Sequence, residues 1–138
     1  MNGHDRAGQT LVAIGSVMLM AAAALHFRGG HSAGFPALAA SNLDVRLQSV
    51  FRVVFLSVGW DLILFGIIAA VAAFKAAAGA RTLIVLCGLG LLVQTVGGAA
   101  VVGIFIGNEL TGSAAILMIV GGSLLGSAER KEPAGRAE

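Results

Sequence analysis

Four apolar stretches, residues 8–27, 53–74, 82–108 and 110–128, occupy most of the chain, and the two ends of the chain together with the segments between the stretches hold nearly all of its charge. A helix rising roughly 1.5 Å per residue needs about 20 apolar residues to cross a hydrocarbon layer of about 30 Å, and each stretch is close to that length or above it. The pattern predicts an all-α, polytopic membrane protein. Its fold is a four-transmembrane-helix bundle with spans at about 8–27, 50–74, 82–107 and 109–127. A single domain over 1–128 holds all four, with an outer connection over 28–49 and a polar tail over 129–138.

Composition sharpens this reading. Hydrophobic residues make up 57% of the 138 residues and charged residues only 12%, with mean hydropathy +0.92; soluble domains carry about a quarter charged residues. A water-soluble core is excluded. The net charge of +2 comes from a few Lys and Arg at helix ends, and no basic patch is interleaved with aromatics, so no nucleic-acid partner is expected. Cys87 is the single cysteine, which excludes an intrachain disulfide.

The charges also orient the chain. Arg6, Lys75, Arg81, Arg130, Lys131 and Arg136 fall on one side of the four spans, and Arg28, Arg46 and Arg52 on the other. The positive-inside rule then places both termini in the cytoplasm and the protein in the inner (plasma) membrane as a multi-pass protein. Residues 1–24 also have the layout of a secretory signal peptide, with an apolar run over 11–20 and Ala22-Ala23-Ala24 for cleavage. An uncleaved helix is preferred, because Asp5 offsets Arg6 and the apolar run continues to Phe27.

In the first connection, 28–34 is turn material and 35–40 is apolar enough to lie along the interface. Ser41 and Asp44 have capping-box spacing, so the second helix is expected to start near Asn42.

The polar residues inside the spans are the candidate chemistry. Leu43, Leu47, Val50, Val54, Ser57, Asp61, Leu64 and Ile68 alternate four- and three-residue steps and share one face. A carboxylate at mid-membrane costs on the order of 3 kcal/mol, so Asp61 is expected to face the bundle and meet a partner. The third span offers Gln94, with Thr95 beside it, on the stripe Leu83, Cys87, Gly90, Gln94, Gly97 and Val101. An interhelical cluster of Asp61, Ser57 and Gln94 follows. It is either a register device or a proton- or ligand-binding site.

A second group gathers at the outer end: His26 closing the first helix, Arg52 on the face of Asp44 and Gln48, and Glu109 in the first turn of the fourth helix. Arg52 either snorkels to headgroups or pairs with Glu109 across the bundle mouth, with His26 titrating beside them. Asp61, His26 and Glu109 are the candidate catalytic residues. Gln94, Ser57, Arg52 and Trp60 are the candidate ligand contacts, with ordinary packing the preferred reading of Trp60. His26 and His31 lack the ligand spacing of a metal site, and no metal or cofactor is expected. Gly103 with Gly107, and Gly122 with Gly126, satisfy GxxxG and favour close helix packing, within the bundle or between protomers.

The connection with Phe35-Pro36, the Arg opening the second span in Phe51-Arg52-Val53-Val54, and Asn108-Glu109-Leu110 opening the fourth resemble the small DoxX-like group of bacterial four-helix membrane proteins. That resemblance implies the fold over nearly the whole chain. Quinone-coupled or redox accessory roles occur in the group, but with one Cys and no CxxC here, thiol redox chemistry does not carry over.

Nucleophile, zinc-hydrolase and phosphate-loop motifs are missing. Whether the chain is an enzyme is left open. The leading reading is a membrane scaffold or accessory subunit that packs with partner spans or lipids. The alternatives are an isomerase- or cyclase-type enzyme using Asp61 on an apolar substrate, and a homodimeric proton-coupled transporter. Expected partners are the lipid bilayer, an apolar ligand such as a quinone, and another copy or a partner membrane subunit.

Overall fold

The computed structural model describes residues 3–75 and 79–126, and these are helical apart from short turns, with no strand among them. The polar tail 129–138 lies outside the described residues. The elements are α1 (Gly3–Gly29), a π-helical turn (Gly30–Gly34), α2 (Phe35–Ala39), α3 (Val45–Lys75), α4 (Ala80–Val102) and α5 (Ile106–Leu124). Three helical stretches, Gly3–Ala39, Val45–Lys75 and Ala80–Val101, are long and apolar enough to cross a membrane. The shorter α5, 19 residues, carries the polar Asn108, Glu109 and Thr111 in its first two turns.

The long helices run alternately up and down. α1 packs along both α3 and α5, and α4 packs along α5, while α3 and α4 touch far less. Interior positions are mostly small: Ala22, Ala23, Ala69, Ala73, Ala114 and Ala115 surround the larger Val12, Leu19, Ile84, Leu91 and Met118. Bulky side chains such as Val17, Val93 and Leu86 point outward, 68%, 73% and 60% exposed. This inverts the usual size gradient of a water-soluble core. It suits helices whose outer solvent is lipid and whose attraction depends on close backbone approach.

Glycine makes that approach at the α1/α5 crossing. A Cβ on Gly8 would lie 2.7 Å from the Gly121 carbonyl oxygen, and one on Gly121 would lie 2.8 Å from that of Gly8. At the same end of the bundle the Gly126 N–H donates to Asp5 Oδ1 at 2.8 Å, so the start of α1 and the end of α5 are neighbours. Gly122 packs on Ile84 of α4. The glycines at 121 and 122 therefore work within the bundle.

Three boundaries differ from the sequence expectation. The first helix does not break into a turn over 28–34 but runs on through Gly29 and the π-helical Gly30–Gly34 into α2. α3 starts at Val45, because Asp44 is itself the N-cap: its Oδ1 accepts the Leu47 N–H at 3.0 Å, while Ser41 turns back to donate to the Leu38 carbonyl. At 31 residues α3 is about 46 Å long, enough to project beyond a hydrocarbon layer. α4 stops at Val102, five residues short of the expected end, because Gly103 adopts φ 83° and turns the chain into α5. Gly103 and Gly107 thus straddle a turn, where Gly107 packs on the Phe105 ring, and do not form a helix-packing motif.

Candidate ligand pocket

Toward the end of the bundle away from the termini, the four long helices line a partly open cavity of about 680 Å³. α1 contributes Ala22, Leu25, His26 and Gly29; α3 contributes Phe55, Val58 and Leu62; α4 contributes Gln94, Thr95 and Gly98. The turn into α5 and its first helical residues supply Phe105, Ile106, Gly107, Asn108 and Thr111. The size falls in the range of small-molecule sites, about 300–1,000 Å³, and the lining is apolar with a few polar groups.

His26 anchors one wall. Its Nε2 lies 2.7 Å from the Phe55 carbonyl oxygen, which can only accept, so Nε2 carries the proton and donates. The imidazole also stacks on the Phe55 ring at 3.8 Å and 13°. This contact belongs to an aromatic run joining α1, α2 and α3 toward the end of the bundle away from the termini. Phe35 meets Phe55 edge-on at 5.5 Å, and Phe27 meets Trp60 at 5.8 Å. Gly30 lies directly under the Phe55 ring, where a Cβ would clash, and this close contact holds the π-helical turn against α3.

The hydroxyls of Thr95 and Thr111 donate to the carbonyls of Leu91 and Gly107, one turn back, and so present only lone pairs to the cavity. Asn108 Nδ2 donates to the Gly103 carbonyl at 3.0 Å, leaving Oδ1 as an acceptor. Gln94 is half-buried and makes no hydrogen bond among the described residues, so its amide offers both donor and acceptor. No Asp, Glu, Lys or Arg lines the cavity. The chemistry presented is that of an uncharged molecule with an apolar body and an oxygen that can accept from an amide or donate to carbonyl and hydroxyl oxygens.

Several sequence expectations are overturned. Asp61 does not face the bundle. It lies on the exposed side of α3, outside the cavity lining, and has no hydrogen-bond or ionic partner among the described residues. Ser57 is exposed and donates to the Val54 carbonyl of its own helix at 2.8 Å. The expected Asp61–Ser57–Gln94 cluster is therefore absent. The inward face of α3 is instead Gly59, Leu62, Gly66, Ala69, Ala72 and Ala73, and all but Leu62 are small enough to allow α1 to approach.

The outer group is also rearranged. Arg52 lies over the Phe35 ring, 5.9 Å from guanidinium carbon to centroid, and forms no ion pair with Glu109 among the described residues. Glu109 is exposed in the first turn of α5, where the helix dipole favours it. Trp60 is 58% exposed and packs on Phe27 outside the cavity.

Of the expected site residues, His26 and Gln94 are brought together around the cavity. Asn108, Thr111 and Phe55 were not read as ligand contacts. The sequence signal for them was weak, since a polar residue at a helix start reads first as capping. Gln9 was also missed. Its Nε2 donates to the Ala73 carbonyl at 3.1 Å, a second side-chain tie between α1 and α3 at the opposite end from His26.

No family model, curated protein or solved structure matches this chain.

Proposed function

We propose that this is a small multi-pass membrane protein, with α5 as a fourth span and both termini cytoplasmic, that holds an uncharged, lipid-soluble molecule in the cavity beside His26 and Gln94. Its role is that of a non-catalytic accessory subunit, presenting or storing the ligand for other membrane proteins. The bacterial inner membrane and the DoxX-like relationship belong to the same proposal. The observation that carries the reading is the 680 Å³ cavity with an unengaged Gln94 amide and no charged lining side chain. Quinones and isoprenoid or fatty alcohols are the ligand chemistries that suit it, pairing a long apolar body with one or two hydrogen-bonding oxygens. Asp61 has no part in this cavity, so acid–base catalysis and proton loading through it are not included.

The test is photolabelling in native membranes with a diazirine-bearing fatty alcohol and a diazirine-bearing quinone analogue. Labelling is expected on peptides containing Gln94 or Asn108. Gly98→Leu should abolish it, since a Cβ at Gly98 would meet only Asn108 Oδ1 at 3.8 Å and a longer side chain would extend into the cavity. Labelling that persists unchanged in Gly98→Leu would refute the assignment.

A further inference from the structure

The exposed side of α3 carries an ordered stripe. Val50, Val54, Ser57, Asp61, Leu64 and Ile68 follow alternating steps of four and three and are all exposed. That 3.5-residue repeat is the seam of a left-handed helix pair. Apolar residues alone would mark only a lipid-facing surface, because every outer position of such a helix is apolar. Asp61 and Ser57 distinguish this stripe. Asp61 stands near the middle of α3 with no companion among the described residues, and hydrocarbon disfavours a carboxyl that meets none.

We propose that this stripe is the interface of a homodimer. α3 packs on α3 of a second copy about a two-fold axis along the membrane normal, and the two Asp61 carboxyls hydrogen-bond to each other at the seam. The occupant is a second copy for three reasons. Such an axis returns each residue to its own depth, so Asp61 meets Asp61. A carboxyl group can offer both an O–H donor and a carbonyl acceptor, so two of them facing each other are self-complementary. One polar residue in an apolar seam also fixes register and oligomeric state. No described helix of the chain places a Lys or Arg at mid-length to neutralise Asp61; Lys75 and Arg81 lie at one end of the bundle and Arg28, Arg46 and Arg52 toward the other. The inference rests on the membrane-spanning part of the proposed function and is independent of the cavity.

The test uses the full chain in lipid vesicles, with energy transfer between donor- and acceptor-labelled copies followed as lipid is added. The wild type should associate. Asp61→Ala should weaken association about tenfold, the scale of one interhelical hydrogen bond. Asp61→Asn, which keeps a donor and an acceptor, should remain dimeric. In a Cys87→Ala background, Asp61→Cys and Leu64→Cys should cross-link on oxidation and Ile116→Cys on α5 should not, a readout that survives if Asp61→Ala fails to fold. A wild type that stays monomeric overturns the proposal, including the case in which Asp61 awaits a basic residue of another protein. Equal association of the wild type and a folded Asp61→Ala overturns it too. Carbonate extraction separates the two readings: protein released from membranes overturns both, whereas an integral monomer overturns only this one.

Discussion

His26 on α1 both stacks on the ring of Phe55 on α3 and donates to its backbone carbonyl, so one imidazole ties two helices together and forms a wall of the cavity. A hydrogen bond of this kind contributes about 1 kcal/mol and a ring stack about the same. His26→Ala is expected to lower unfolding free energy by about 2 kcal/mol, and His26→Phe, which keeps the stack, by about 1 kcal/mol. Thermal or denaturant unfolding in mild detergent measures both. Equal losses for the two variants would remove the hydrogen bond from the account.

The α1/α5 crossing makes a sharper prediction about packing. Gly8→Ala and Gly121→Ala each press a methyl group onto a backbone oxygen of the facing helix, and each should cost about 1–3 kcal/mol. The double variant should cost less than the sum, since the helices have to separate only once. Gly90→Ala on α4, where nothing lies within 4 Å, should be neutral or stabilise by up to about 1 kcal/mol through helix propensity.

At the start of α3, Asp44→Ala removes the acceptor for the Leu47 N–H. Loss of an N-cap costs about 1 kcal/mol and is local. Hydrogen exchange at Leu47 should accelerate while amides near Leu62 keep their protection. Uniform acceleration along α3 would contradict a local cap.

Gln94→Leu tests the cavity without disturbing the fold, because the Gln94 amide makes no hydrogen bond to the described residues. Binding of an oxygen-bearing apolar probe should weaken about tenfold, the scale of one lost hydrogen bond, with thermal stability unchanged or raised. Loss of stability of the same order would instead show Gln94 to be structural.

The chain of amino acids, taken alone, determined the class of this protein. Apolar stretches near membrane-crossing length, with charge confined to their ends, specify long apolar helices directly, because helix length and burial of backbone hydrogen bonds are local matters. Asp44 and Glu109 near helix starts were legible for the same reason, but the glycines were not: 28–34 is helical where a turn was expected, and Gly103, read as a packing residue, ends α4 through its left-handed conformation. Which face of each helix turns inward was decided only by tertiary structure. In a soluble helix, polarity tells inside from outside. Here Leu64 and Ile68 face out, Leu62 faces in, and all are equally apolar. The inward face of α3 follows its small residues, Gly59, Gly66, Ala69 and Ala73, which let α1 approach. Asp61 pointed to the wrong face because a carboxyl at depth was assumed to be satisfied within one chain. The cavity was equally invisible, since it exists only where the packed helices bring His26, Gln94 and Asn108, distant along the chain, around one space.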